Sequence, residues 1–267
     1  MSTPLSTVII LGIIEGLTEF LPVSSTGHLI LASTLLGFTD ESSVAFKIAI
    51  QLGAILAVLV VYWRRFLGVA QGLTRGRSDA AAFTRNIIIG FLPAMVVGAF
   101  AYDAIRAAIQ TPEIVAVMLI LGGIAIIVIE RMVKVERFFS VESVPTRTAI
   151  QIGIAQCLAM VPGVSRSGAT ILGARMMGIE RKTAAEFSYF LAVPTMMGAT
   201  VYALYKDRDL LSLDDLNAIA IGLAISFIVA LGVVKTFVAF VGRYGFTPFA
   251  WYRIVIGSVA LAWLLLR

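Results

Sequence analysis

The sequence is short of the residues on which many soluble enzymes are built. It has one cysteine, Cys157, and one histidine, His28, and only 14% of its residues are charged. A single cysteine excludes an intrachain disulfide and a thiolate metal cluster. A single histidine excludes any mechanism that needs two. An ordinary soluble domain carries ~25% charged residues, so the shortage of charge excludes a well-solvated surface. The net charge of +5 is modest, and no nucleic-acid partner is expected. The N-terminus lacks a basic stretch, and Glu15 and Glu19 interrupt its apolar run, so no cleavable signal peptide is expected either.

What is present is apolar surface: 59% of the residues, spread along the whole chain rather than gathered into one anchor. The bilayer must then be the solvent, and helices must satisfy the backbone. The fold expected is an all-α polytopic membrane protein in one membrane domain, residues 1–267. Stretches able to cross ~30 Å of hydrocarbon lie near 45–63, 86–103, 113–130, 187–205, 216–238 and 248–266. Two regions differ. Residues 5–37 and 148–178 are apolar but broken at Leu21-Pro22-Val23-Ser24-Ser25-Thr26-Gly27-His28 and Val161-Pro162-Gly163-Val164-Ser165-Arg166-Ser167-Gly168. Each reads as two short helices joined by a tight polar turn.

Loop charge sets the orientation. Arg64, Arg65, Arg75, Arg77 and Arg85, then Arg131, Lys134, Arg137 and Arg147, and finally Arg175, Arg181 and Lys182, are placed on the cytoplasmic side. Asp207, Asp209, Asp214 and Asp215, with Asp40 and Glu41, are placed outside. Six full spans fit this only if each broken region enters and leaves on the same side, as a re-entrant hairpin. The two hairpins also align: Gly12–Leu31 on Gly153–Leu172, with identities at Gly12/Gly153, Ser24/Ser165 and Gly27/Gly168 among others. Thr111-Pro112 and Thr247-Pro248 open the last span of each half. The expected architecture is an inverted repeat of approximately 1–134 and 146–267. Interrupted segments at matching places in such halves point to a site near the midplane.

Glu15 and Glu19 fall on one helix face. Ionised groups at membrane depth are costly and usually functional. Two like charges this close share a proton or bind a cation. Ser24, Ser25, Thr26 and Gly27 precede one short helix; Ser165, Ser167 and Gly168 flank the start of its counterpart. Such hydroxyls cap a helix whose free N–H groups form an anion site. Arg166 brings a fork suited to phosphate oxygens, or an ion pair with Glu15 or Glu19. His28 lies one turn after Ser25, a spacing that suits a nucleophile and a base, and equally a plain hydrogen-bonded histidine. Gln51 and Lys47 stand one turn apart within a span, and Gln156 holds the repeat position of Glu15. These groups suit a phosphorylated lipid with a hard cation such as Mg²⁺ or Ca²⁺ held at Glu15 and Glu19.

The stretch Glu15–His28, together with Pro162–Thr170, resembles the undecaprenyl-pyrophosphate phosphatase family of bacteria, linked to bacitracin resistance, and the resemblance runs over essentially the whole chain. It implies hydrolysis of undecaprenyl pyrophosphate to the monophosphate carrier lipid, at the periplasmic side of the inner membrane, with a divalent cation. Glu15, Glu19, Ser25, His28 and Arg166 carry over as active-site residues. The mechanism expected has Ser25 attack phosphorus and His28 take its proton, with direct attack by water left open. Ser24, Thr26, Gly27, Gln51, Ser165, Ser167 and Gly168 are expected to contact substrate. Membrane lipids are the expected surroundings, and a homodimer is a candidate assembly. A lipid transporter of the same architecture is the alternative reading.

Overall fold

The computed structural model describes residues 4–39, 41–109, 111–206 and 216–266. Asp40, Asp207, Asp209, Asp214 and Asp215, on which the outward placement rested, lie outside the described residues. Among the described residues there are eleven α-helices: α1 (Leu5–Thr18), α2 (Ser25–Leu35), α3 (Glu41–Val61), α4 (Trp63–Thr74), α5 (Ser78–Ile109), α6 (Pro112–Met132), α7 (Thr146–Gln156), α8 (Arg166–Met176), α9 (Arg181–Lys206), α10 (Leu216–Tyr244) and α11 (Thr247–Leu266). The chain is an all-α, multi-pass membrane protein.

Both broken regions are helix–turn–helix pairs. At 14 residues, α1 reaches about 21 Å, and the 11-residue α2, α7 and α8 reach about 17 Å, all short of a bilayer core. Five of the six stretches expected to span lie within one long helix each, α5, α6, α9, α10 or α11, and the sixth, 45–63, follows α3 and runs past its end to the start of α4. Four of these, α5, α6, α10 and α11, are long and apolar enough to cross a membrane by themselves. The 26-residue α9 has the length as well. Phe187 through Ala192 are all buried in protein, so the polar Ser188 and Tyr189 meet neighbouring helices rather than lipid. Helix α3 ends in a bend of 68° into α4. The arginine-rich stretch 64–85, expected as a loop, opens instead with an amphipathic helix. Phe66 and Val69 pack on the core while Trp63, Leu67 and Leu73 face outward, the pattern of a helix lying in the membrane interface.

The packed interior holds both an apolar core, with Phe20, Phe187 and Phe246 fully buried, and polar side chains, while other large apolar residues face outward. Phe100 is 91% exposed whereas Glu15 is fully buried. Small residues allow close crossings, as is usual within membranes. A methyl group on Gly53 would fall 2.3 Å from the carbonyl oxygen of Leu223, and one on Gly153 would fall 2.4 Å from that of Gly90. Helix α1 packs on α10 as α7 packs on α5; α3 packs on α10 as α9 packs on α5; α6 pairs with α11.

Arg175, expected in a cytoplasmic loop, lies instead in the last turn of α8, 1% exposed, with Nη1 donating to Glu136 Oε1 at 2.6 Å and to the Ile179 carbonyl at 2.7 Å. Arg181 pairs with Glu130 at 2.9 Å. These cations tie the ends of α6, α8 and α9 together, Arg175 buried among them and Arg181 partly exposed.

Candidate active site

The tips of the two hairpins meet. Ser167 Oγ in α8 donates to the carbonyl of Leu21 in the first turn at 2.7 Å. Arg166 Nη2 donates to Glu19 Oε1 at 2.9 Å, and its Nη1 reaches the Ser188 carbonyl in α9 at 3.1 Å. Ser25 Oγ donates to Glu19 Oε2. Ser25, Glu19 and Arg166 therefore form one continuous chain across the contact between the halves.

Both short helices begin in the same way. Ser24 and Ser165 hold positive φ, 71° and 81°, and they alone among the described non-glycine residues do so. L residues resist this conformation. Each serine is held there by its own cap: Ser24 Oγ accepts from the Gly27 N–H at 3.2 Å and Ser165 Oγ from the Gly168 N–H at 3.0 Å. With the serine oxygens at the caps, the first turns of α2 and α8 start beside each other at the contact between the hairpins, each presenting the positive end of a helix dipole.

Above these turns lies a cavity of 560 Å³. Its polar end is lined by Glu19, Ser24, Ser25, Thr26, Gln51, Gln156, Ser165 and Arg166; its remaining wall is mostly apolar, from Phe91, Met95 and Met196 toward Tyr102 and Tyr202. The two tyrosine rings meet edge to face with centroids 5.2 Å apart. Arg166 Nε is buried without a partner, and so is the Gln156 amide nitrogen, whose oxygen accepts from Thr195 Oγ1 at 3.3 Å.

Of the residues expected from sequence, Glu19, Ser24, Ser25, Thr26, Gln51, Ser165 and Arg166 line this cavity. Ser167 is turned to the backbone of Leu21, while Gly27 and Gly168 supply the capped N–H groups. His28 takes a different place. Its Nδ1 bonds the Ser24 carbonyl at 2.8 Å, its Nε2 bonds Tyr252 Oη at 2.8 Å, and the two rings stack. Neither ring nitrogen bonds Ser25. The expected partner of the serine hydroxyl is replaced by Glu19.

Glu15 is fully buried, and both of its carboxylate oxygens lack a hydrogen-bond partner. Among the described residues no group of three or more acidic, histidine or cysteine side chains could hold a metal ion. Mg²⁺ is commonly held by one or two carboxylates together with substrate phosphates. The unpartnered oxygens of Glu15, one turn from Glu19, fit that pattern.

Sequence reasoning missed Ser188, which receives Arg166, and Arg253 of α11, which is buried between the two turns. Neither stands in a motif. Arg253 left one trace, a charge inside an apolar span.

Residues 8–259 match the bacitracin resistance protein BacA family. The chain belongs to this family. The undecaprenyl-diphosphatase of Sphingopyxis alaskensis is 70% identical over 260 residues, 97% of this chain and 98% of its own length. That of Rhizorhabdus wittichii is 57% identical over 267 residues and covers both chains fully. That of Novosphingobium aromaticivorans is 54% identical over 265 residues, 98% of each chain. The family match begins within α1 and ends within α11, so it includes both hairpins and every residue of the Ser25–Glu19–Arg166 chain.

Proposed function

We propose that this protein hydrolyses undecaprenyl pyrophosphate to undecaprenyl phosphate and inorganic phosphate, recycling the carrier lipid for cell-wall synthesis and conferring resistance to bacitracin. One observation carries the reading. A serine hydroxyl, a carboxylate and an arginine meet at two helix N-termini at the floor of an apolar chamber. The floor suits a pyrophosphate and the chamber a prenyl chain.

In this mechanism Arg166, through its unpartnered Nε, and the N–H groups that open α2 and α8 bind the phosphate oxygens. Ser25 Oγ attacks the terminal phosphorus. The bond from that phosphorus to the bridging oxygen breaks, and undecaprenyl phosphate leaves. The hydroxyl proton passes to Glu19, which already accepts its hydrogen bond, and from there to the leaving phosphate. Water then attacks the phosphoserine and gives a proton to Glu19. That proton returns to Ser25 as inorganic phosphate departs. Catalysis of this kind rests on positioning and charge stabilisation. Glu15 and Glu19 would hold a divalent cation, Mg²⁺ or Ca²⁺, that neutralises charge on the pyrophosphate. His28, bonded to Ser24 and Tyr252, steadies the first turn of α2.

The two halves, approximately 1–134 and 146–267, are taken as an inverted repeat. The exchange of partners supports this: α1 on α10 against α7 on α5, and α3 on α10 against α9 on α5. The site is assigned to the periplasmic face of the bacterial inner membrane. The arginine-rich segment from Arg64 to Arg85 would lie in the cytoplasm, while the cavity extends toward the opposite ends of α5 and α9, at Tyr102 and Tyr202. A homodimer is retained as a candidate assembly.

The decisive experiment is phosphate release from undecaprenyl pyrophosphate by purified protein in detergent. Release by the native chain and none by Ser25→Ala is the expected result; no release by the native chain with added Mg²⁺ or Ca²⁺ overturns the assignment.

A further inference from the structure

Arg253 is 1% exposed and lies in the second turn of an apolar helix. A guanidinium has five N–H donors and no acceptor. Here all five are used, and every partner is a backbone carbonyl. Nε donates to Leu119 at 3.2 Å, Nη1 to Pro22 and Val164 at 3.0 Å each, and Nη2 to Met118 at 3.0 Å and Gly163 at 2.9 Å. Among the described residues no carboxylate pairs with it. Burying an ion is expensive, and a buried cation ordinarily has an anionic partner. A cation kept here without one has a task that neutral packing would not perform.

The partners identify that task. Pro22 belongs to the turn before α2, and Gly163 and Val164 belong to the turn before α8. In the alignment of the two hairpins Pro22 and Gly163 are equivalent positions. One guanidinium thus grips corresponding carbonyls of the two turns, two residues ahead of the caps Ser24 and Ser165. Val164 adds a second bond to the turn before α8, and the bonds to Met118 and Leu119 fix the guanidinium to α6. The close approach there depends on Gly122: a methyl group on that residue would lie 1.9 Å from Nη2. The adjacent Tyr252 holds His28 in the first turn of α2, so α11 braces the hairpin contact at two points.

We propose that Arg253 is a positioning residue that sets the spacing of the two hairpin turns, and so the convergence of the α2 and α8 N-termini and of Ser25 with Arg166 on one phosphate group. The inference rests on the phosphatase reading. Ser25 comes from one hairpin and Arg166 from the other, so their separation is not fixed by either hairpin alone. Misplacement of reacting groups by about 1 Å is enough to lower a rate by ~100-fold. Lysine at 253 keeps the charge but, with three donors, cannot bridge both turns and α6 as the planar fork does.

The test compares native protein, Arg253→Lys, Arg253→Ala and Gly122→Ala, with kcat, KM and Tm measured for each in detergent. Arg253→Lys should lower kcat by ~10-fold or more with KM changed less than about 3-fold and Tm nearly unchanged. Arg253→Ala should regain part of its kcat in millimolar guanidinium and none in equal methylammonium. Gly122→Ala leaves the arginine present but displaced, and should lower kcat in the same way, which keeps the test open if Arg253→Ala does not fold. A native-like kcat in Arg253→Lys or Gly122→Ala overturns the proposal. So does a loss of kcat that only follows Tm, without guanidinium rescue. If the native protein itself releases no phosphate, the phosphatase reading fails instead.

Discussion

At Ser24 and at Ser165 the chain turns through the same uncommon backbone, φ 71° and 81°, and each serine caps the helix that follows through the N–H three residues on. The side chains next to these matched caps are not matched. Ser25 in the first hairpin is answered by Arg166 in the second, Glu15 by Gln156, and His28 by Ala169. The backbone is repeated while the chemistry is divided: one hairpin brings the hydroxyl and the acids, the other the cation. A turn duplicated for its geometry leaves the neighbouring positions free to specialise. On the proposed function the helix dipoles of both turns would serve the same anion.

The sharpest way to break this comparison is at Ser25. Ser25→Ala should lower kcat by at least ~1000-fold while the protein still binds the pyrophosphate lipid. Rapid quench with terminally labelled substrate should find phosphoserine at position 25 in the native protein. Substantial turnover by Ser25→Ala would remove the covalent route and make water the attacking group.

Arg166→Lys comes next, because it keeps the charge of the second hairpin and removes the fork. Each charge-assisted hydrogen bond lost is worth ~1.5–3 kcal/mol, so kcat/KM should fall by roughly 10- to 100-fold. A near-native kcat/KM would leave Arg166 as a structural ion pair of Glu19.

The contrast between Glu15 and Gln156 can be sharpened with the cation. Chelation should abolish activity and added Mg²⁺ or Ca²⁺ should restore it. Glu15→Gln should raise the cation concentration needed for half-activation by about 10-fold, since charge count governs the affinity of such sites. Gln156→Glu should not restore it, because the Gln156 side chain is tied to Thr195 within its own half. Full activity of native protein in chelator would end the metal reading.

The smallest effects test the shared backbone. Ser24→Ala and Ser165→Ala each remove a cap and should each cost about 1 kcal/mol of stability, with similar falls in Tm. Ser24→Ala should alter kcat far less than Ser25→Ala does. Unequal losses of Tm at the two positions would show that the two turns are alike in shape without being alike in energetics.

The long helices and the two breaks were legible in the sequence because each is local. Composition over some twenty residues identifies a span, and a Pro- and Ser-rich interruption identifies a turn. The acids and the arginine could be chosen as site residues because an ionisable group in an apolar segment is conspicuous wherever it folds. The same reasoning assigned Arg175 to a loop, since a basic residue near a helix end looks alike whether it meets water or Glu136. It also passed over α4, whose arginines concealed an amphipathic face.

What the sequence determined by itself is therefore a set of membrane helices with two polar, phosphate-suited turns. Only the tertiary structure decided that these turns touch, that Ser25 bonds Glu19 rather than His28, and that His28 faces Tyr252. It alone revealed Arg253, whose bond to Pro22 joins residues 231 positions apart. The physical reason is the range of the forces involved. Apolar periodicity and turn propensity act between neighbours along the chain, whereas a guanidinium shared by five carbonyls exists only once three separate segments have been brought to the same place.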